Sequence, residues 1–257
     1  MRAVWLVLGA VTTALALLLS TSAIWNEFAR ASLPTETTGW SRPFRATSLK
    51  IEVGEGDIGL NVLAGEAGEV VANRTMEWSR DKPVVTEKWG DGTLRLDATC
   101  SGSDPRSRPR CQVFYDVFVP PEASVEATTG SGPLNVSGLY GDVRVTSAAG
   151  DLGLVGVAGA VWARSGTGEI RARELSGGQV DAETGEGSVN LSFSGRPTSV
   201  KAVVRASGDV NLSVPGGSYD VTSDAEESRI DVKREPGSAR KIIARTPDGS
   251  VFVCCRR

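Results

Sequence analysis

Between Gly130 and Val253 the chain repeats one small pattern: a turn rich in Gly, Ser and Asp, then an apolar–x–apolar triplet. The triplets are Leu134-Asn135-Val136, Leu152-Gly153-Leu154, Ile170-Arg171-Ala172, Val189-Asn190-Leu191, Val210-Asn211-Leu212, Ile230-Asp231-Val232 and Val251-Phe252-Val253. Their first positions are separated by 18, 18, 19, 21, 20 and 21 residues. A second set, Val143-Arg144-Val145, Val161-Trp162-Ala163, Val180-Asp181-Ala182 and Val200-Lys201-Ala202, falls 9 or 10 residues before the next member of the first. Alternation with a period of two marks a strand with one buried face, so each repeat predicts two short strands and two turns. A third apolar position at Leu139, Val157 and Leu175, again 18 apart, predicts a residue filling the inside of a corner.

No single unit of this kind can bury its apolar face, whereas stacked neighbours can. The pattern therefore predicts an all-β fold, a β-solenoid with two parallel-stacked sheets around a narrow core. An antiparallel sandwich is the second architecture compatible with it. Gly in the turns supplies positive φ, and Asp or Ser caps the turn through its side chain. One carboxylate per turn is too few for a calcium site, so no metal and no cofactor is expected. The repetition weakens after Gly216.

An earlier unit, Leu49 to Val53 followed by Ile58 to Val62, precedes an interruption from Glu69 to Pro120. The interruption predicts an inserted antiparallel meander of four strands, with Gly90-Asp91-Gly92 as a hairpin turn. Cys100 and Cys111 close the third strand and open the fourth, facing each other across a hairpin, and are expected to form a disulfide. The loop between them carries Arg106, Arg108 and Arg110 and no apolar residue. Those arginines and the outward-facing Trp162 are the candidate surface contacts. Cys254 and Cys255 are adjacent on a strand, so they point to opposite faces and form no simple bridge with each other.

The amino terminus is uncharged from Ala3 to Asn26, with Trp5 and Trp25 near its ends. Roughly 20 apolar residues span a bilayer as a helix. Residues 1–30 are therefore expected to be a transmembrane signal anchor, with the rest of the chain outside the cytoplasm. A cleaved signal peptide ending at Ala29-Arg30-Ala31 is the competing possibility, and it exports the domain equally. Residues 31–47 read as a polar linker and 48–257 as the displayed domain.

Composition narrows the function. The net charge of -3 excludes a strongly basic nucleic-acid binder. The chain has no His, which removes the commonest general base and metal ligand and every Ser-His or Cys-His pair. The outward row Arg144, Trp162, Asp181 and Lys201 is mixed in character and supplies no paired carboxylates, so no enzyme is expected. Sequons at Asn73, Asn135, Asn190 and Asn211 are better accounted for by chance in a repeat rich in Asn and Ser.

The turns Gly56-Asp57-Ile58, Thr129-Gly130-Ser131-Gly132, Gly150-Asp151-Leu152, Ser165-Gly166-Thr167-Gly168-Glu169-Ile170, Thr184-Gly185-Glu186-Gly187 and Ser207-Gly208-Asp209-Val210 follow one scheme. With the apolar amino terminus before them, they resemble the bacterial putative-adhesin family of domains of unknown function, also described as toast-rack-like. The resemblance covers about Ser48 to Val253. It implies a β-solenoid-like fold, an envelope location and no established catalytic residues. A membrane-anchored binding scaffold with an unknown surface ligand or envelope protein as partner is the leading expectation. A membrane-tethered regulator in envelope-stress signalling is the alternative. A polysaccharide-active β-helix enzyme is the lesser one.

Overall fold

The computed structural model describes residues 2–31, 33–54, 57–79, 81–100 and 111–255, and within the first helix the side chains of 11–26. Helix α1 (Arg2–Ala31) comes first. Then come β1 (Thr35–Pro43), β2 (Ser48–Val53), β3 (Ile58–Ala64), β4 (Glu69–Trp78), β5 (Val84–Gly90), β6 (Thr93–Thr99) and β7 (Cys111–Val119). The repeat proper is β8 (Ser124–Thr129), β9 (Leu134–Ser137), β10 (Val143–Ser147), β11 (Leu152–Val155), β12 (Val161–Thr167), β13 (Ile170–Leu175), β14 (Gln179–Glu186), β15 (Val189–Phe193), β16 (Ser199–Val204) and β17 (Val210–Val214). The chain closes with β18 (Ser218–Asp224), β19 (Glu227–Asp231), β20 (Lys233–Arg234), β21 (Lys241–Arg245) and β22 (Ser250–Cys255).

These strands make two sheets of 11. Sheet A runs β1-β4-β7-β3-β9-β11-β13-β15-β17-β22-β19, and sheet B runs β20-β18-β21-β16-β14-β12-β10-β8-β2-β6-β5. From β8 to β17 each coil puts one strand in sheet B and the next in sheet A, all pairing parallel. Parallel neighbours ordinarily need a helical crossover. Here the opposite strand of the same coil is the crossover. The inward residues are those the alternation predicts. Val143, Val161, Val180 and Val200 from sheet B and Leu134, Leu152, Ile170, Val189 and Val210 from sheet A are all buried, as are the corner residues Leu139, Val157 and Leu175.

The turns hold the coils in contact. Buried Ser165, Thr184 and Thr246 donate to the carbonyls of Gly150, Gly168 and Gly208 at 3.1, 2.9 and 2.7 Å. Glycine is required there by proximity as well as by torsion. A Cβ on Gly208 (φ +137°) would stand 2.2 Å from the Gly187 carbonyl oxygen, and one on Gly187 (φ +116°) 2.5 Å from that of Gly168.

Both ends of the stack depart from the expected order. The predicted meander is split between sheets: β4 and β7 pair antiparallel in sheet A, while β5 and β6 form a hairpin in sheet B. The hairpin turn is as expected, with Asp91 and Gly92 both at positive φ. Cys100 and Cys111 are joined by a disulfide, but they do not face each other across a hairpin. The bridge ties the end of β6 in one sheet to the start of β7 in the other. The expected linker 31–47 contains β1, paired antiparallel with β4 from Thr35↔Glu77 to Pro43↔Glu69. Phe44 is buried, and Trp40 and Phe44 both pack edge-on against Trp89, with ring centroids 5.6 and 6.5 Å away.

The carboxyl-terminal coil is also out of sequence order. Val251, not Ile230, sits beside Val210, and β19 lies outside β22 at the edge. At the opposite end β2 and β3 are inserted between β8–β9 and β6–β7. The first and last coils along the chain are thus each covered by a coil formed from the chain's interior.

Helix α1 packs differently from everything else. Each of its described side chains is exposed. Among the described residues no helix is long and apolar enough to cross a membrane. The transmembrane span expected over residues 1–30 is therefore not borne out by the described residues, which cover the side chains of only the middle of that segment.

Candidate functional site

Parallel register turns sequence repetition into rows of side chains on the two outer faces. On sheet B it aligns Lys50, Glu126, Arg144, Trp162, Asp181 and Lys201 on successive rungs. A shallow groove of about 780 Å³ follows this row. The row's polar groups are largely engaged with one another. The Trp162 ring has the Arg144 guanidinium 4.6 Å and the Arg164 guanidinium 4.2 Å from its centroid. Arg164 bonds Asp181 at 2.9 Å, and Lys201 lies 3.6 Å from Asp181 and 3.8 Å from Glu183, which also pairs with Arg205. Contacts of this half-exposed kind are each worth about 0.5–1 kcal/mol. Their collective effect is to fix the row. Trp162, expected as a surface contact, is held by the protein's own cations.

Arg106, Arg108 and Arg110 lie outside the described residues. The turn aspartates act between coils: Asp142 accepts from Ala160 N–H at 2.9 Å, Asp151 from Glu169 N–H at 2.8 Å, and Asp209 from both the N–H and the hydroxyl of Ser250 at 2.8 Å. The two bonds from Ser250 hold the Asp209 carboxyl below the usual carboxylate range. Among the described residues no cluster of His, Cys, Asp or Glu could hold a metal ion.

The outer face of sheet A carries a row of a different chemistry. Register aligns Asp116, Asn61, Asn135, Gly153, Arg171, Asn190, Asn211, Phe252 and Arg229. Nearly all of these side chains end in a flat group. Asn135 donates to Asn61 at 3.0 Å and Asn61 to Asp116 at 2.8 Å. Asn211 donates to Asn190 at 2.8 Å and Asn190 to Glu169 at 2.6 Å. Arg171 pairs with Glu169 and lies 3.7 Å from Asp151. A groove of about 350 Å³ is lined here by Arg173, Asn190, Ser192, Asn211, Ser213 and Phe252, among others. Half-buried Cys254 also borders it, while Cys255 is exposed, and both thiols are free.

One irregularity sits at this groove. Between Ala172↔Leu191 and Leu175↔Phe193 the strand β13 carries two residues, Arg173 and Glu174, against the single Ser192 of β15. This is a β-bulge. Glu174 has φ +57°, and it occupies the place that Gly138 (φ +74°) and Gly156 (φ +64°) hold in the two preceding coils. The sequence reading missed the groove. Its signal is there in Ser137-Gly138-Leu139, Val155-Gly156-Val157 and Arg173-Glu174-Leu175, equally spaced, with one Gly exchanged for Glu.

A family model described as Toastrack DUF4097 matches residues 43–253. Among solved structures, the chain is similar to a putative cell adhesion protein from Clostridium sporogenes at 12% identity, over 86% of this chain and 100% of that one, with a TM-score of 0.38. It is similar to a putative adhesin from Bacteroides fragilis at 12% identity, over 85% and 97%, with a TM-score of 0.42. A putative lipid binding protein from Parabacteroides distasonis is 12% identical, over 84% and 94%, with a TM-score of 0.35. No curated protein matches the chain.

Proposed function

The chain belongs to the Toastrack DUF4097 family, and from that premise we propose that it is a membrane-tethered, extracytoplasmic binding module of adhesive type, without catalytic activity. The observation that carries the tether is the exposure of α1. Leu18, Leu19, Ile24 and Trp25 are 67, 64, 68 and 71% exposed. Large apolar side chains are stable when lipid or protein covers them, and the β domain does not cover these. The sequence is uncharged from Ala3 to Asn26, which suits lipid. The Cys100–Cys111 disulfide supports an oxidising compartment for the domain.

A binding role follows from what the two sheets offer. They present long outer faces with fixed side-chain rows, and among the described residues neither face assembles an acid–base pair or a nucleophile with its base. Protease treatment of intact cells, followed by mass spectrometry of the membrane fraction, tests this reading. Loss of peptides from residues 48–253 with retention of a peptide spanning Trp5 to Trp25 is the expected result. A domain that survives treatment until the cells are broken open would sink the display, and the adhesive role with it.

A further inference from the structure

The two outer faces differ in how much of their bonding capacity is spent, and the difference points to one ligand. On sheet B, Arg164, Asp181, Glu183, Lys201 and Arg205 are ion-paired with one another, although Asp181 Oδ1 keeps no hydrogen bond, and the Trp162 ring lies against Arg144 and Arg164. On sheet A, the side chains of Arg173, Ser192 and Ser213 have no hydrogen-bond or ion-pair partner among the described residues. Asn211 there donates one bond and accepts none. Phe252 stands at the end of this set, with the Arg229 guanidinium 5.6 Å from its ring centroid.

The backbone at Arg173 adds an independent observation. Glu174 takes, at φ +57°, a position that the two preceding coils fill with Gly, directly after Arg173 and at the register shift between β13 and β15. An outlier of that kind supports a hypothesis of function when it borders a groove.

We infer that the sheet A groove between Arg173 and Phe252 binds a neutral, hydroxyl-rich polysaccharide lying along the stack. Amide, guanidinium and hydroxyl groups donate to and accept from sugar hydroxyls, and an aromatic ring takes the apolar face of a sugar. The groups recur with the spacing of the strands, so a polymer with its own translational repeat meets them in series. From Arg171 to Arg229 there are four strand spacings, about 19 Å at roughly 4.8 Å each, enough for several sugar units. The charge does not favour a polyanion: Arg171 is answered by Glu169 and Asp151 and Arg229 by Asp231, so Arg173 is the single cation of the groove left unpaired among the described residues. A peptide would seek a strand edge, and this groove lies across strand faces.

The inference rests on the adhesive reading above, and the test separates the two. Full-length protein in detergent is run by affinity electrophoresis through gels containing a neutral β-glucan, a neutral galactomannan or polygalacturonate. Retardation by a neutral polymer at both low and high salt is expected. Arg173→Ala, Asn211→Ala and Phe252→Ala should each weaken it about tenfold, the effect of one lost contact. Trp162→Ala should leave it unchanged, and thermal melts verify that every variant is folded. Retardation by neither neutral polymer, or by polygalacturonate alone, overturns the inference. Wild-type binding by all three groove variants does so too. Cell-surface binding that persists in those variants sinks the groove and leaves the adhesive reading standing. Failure of display in the protease experiment removes that reading itself.

Discussion

Glu174 shows how one side chain can oppose its local geometry. The left-handed region costs a non-glycine residue about 1–2 kcal/mol, while glycine there loses roughly 0.5–1 kcal/mol in chain entropy. Glu174→Gly should therefore stabilise the domain by about 0.5–1 kcal/mol in urea denaturation. A destabilised variant would show that the glutamate side chain contributes contacts of its own. Asp209 carries a second residue-scale prediction. Its carboxyl is held low by the N–H and hydroxyl of Ser250, so the folded state binds its proton less readily than the unfolded chain does. The stability it contributes is complete above the ordinary value of 3.8 and is lost as pH falls through the lower folded-state pKa. Asp209→Ala should thus be destabilising near neutrality and indistinguishable from wild type in strong acid. A difference that stayed constant across a pH series of denaturation curves would assign the effect to something other than this carboxylate.

At the scale of elements, the repeat was legible because its signal is local. Each Val-x-Val or Leu-x-Leu triplet declares its buried face, and the Gly-Asp turns declare where the chain reverses. What could not be read is which triplet pairs with which. Ile230-Asp231-Val232 and Val251-Phe252-Val253 look alike, and only tertiary packing decides that Val251 takes the place beside Val210. Strand β1 was missed for a different reason: Thr35–Pro43 contains Gly39, Pro43 and few apolar residues, so it reads as linker until β4 is there to pair with it. Arg74, the one charge on the buried face of β4, proves to be part of the seal at that end of the stack. Arg74, Trp40 and Tyr115 from sheet A all donate to Glu87 of sheet B, at 2.6, 2.8 and 2.8 Å. Burial and the neighbouring Glu87 carboxylate push the Tyr115 phenol well above its usual pKa, so it stays a donor. Glu87→Ala should cost about 2 kcal/mol, less than a fully buried pair because the site is partly open to water. Trp40 and Trp89 flank the site, so a fluorescence-detected melt should report the loss. An unchanged melting temperature would show that the aromatic contacts alone close the end.

At the scale of the whole molecule, the placement of the terminal coils controls cooperativity. A simple stack frays from its ends, because each end coil has only one neighbour. Here β2–β3 and β21–β22 have neighbours on both sides, and the edge strands β5, β19 and β20 belong to segments that return to the stack at both of their own ends, while the edge strand β1 is held by β4. Removing residues 152–169, one interior coil, should leave a folded, cooperatively melting domain, because Asp151 then leads directly into Ile170 with every register kept. Removing residues 241–255 deletes no more than a coil but empties a slot in both sheets, and it should abolish folding. Circular dichroism and limited proteolysis of the two deletions decide the matter, and equal tolerance of both would contradict the role given to the interleaved ends.

That same interleaving limits how such a protein changes length over generations. Appending a duplicated unit to either tip of the coding sequence would place it where the stack has no vacancy. Copies gained or lost by unequal recombination are harmless only in the middle, among β8 to β17, where each unit hands on to the next in order. Lineages should therefore vary in the number of central units while keeping both outer segments. The length of the two outer faces would then be a quantity that heredity can tune one 18- to 21-residue step at a time.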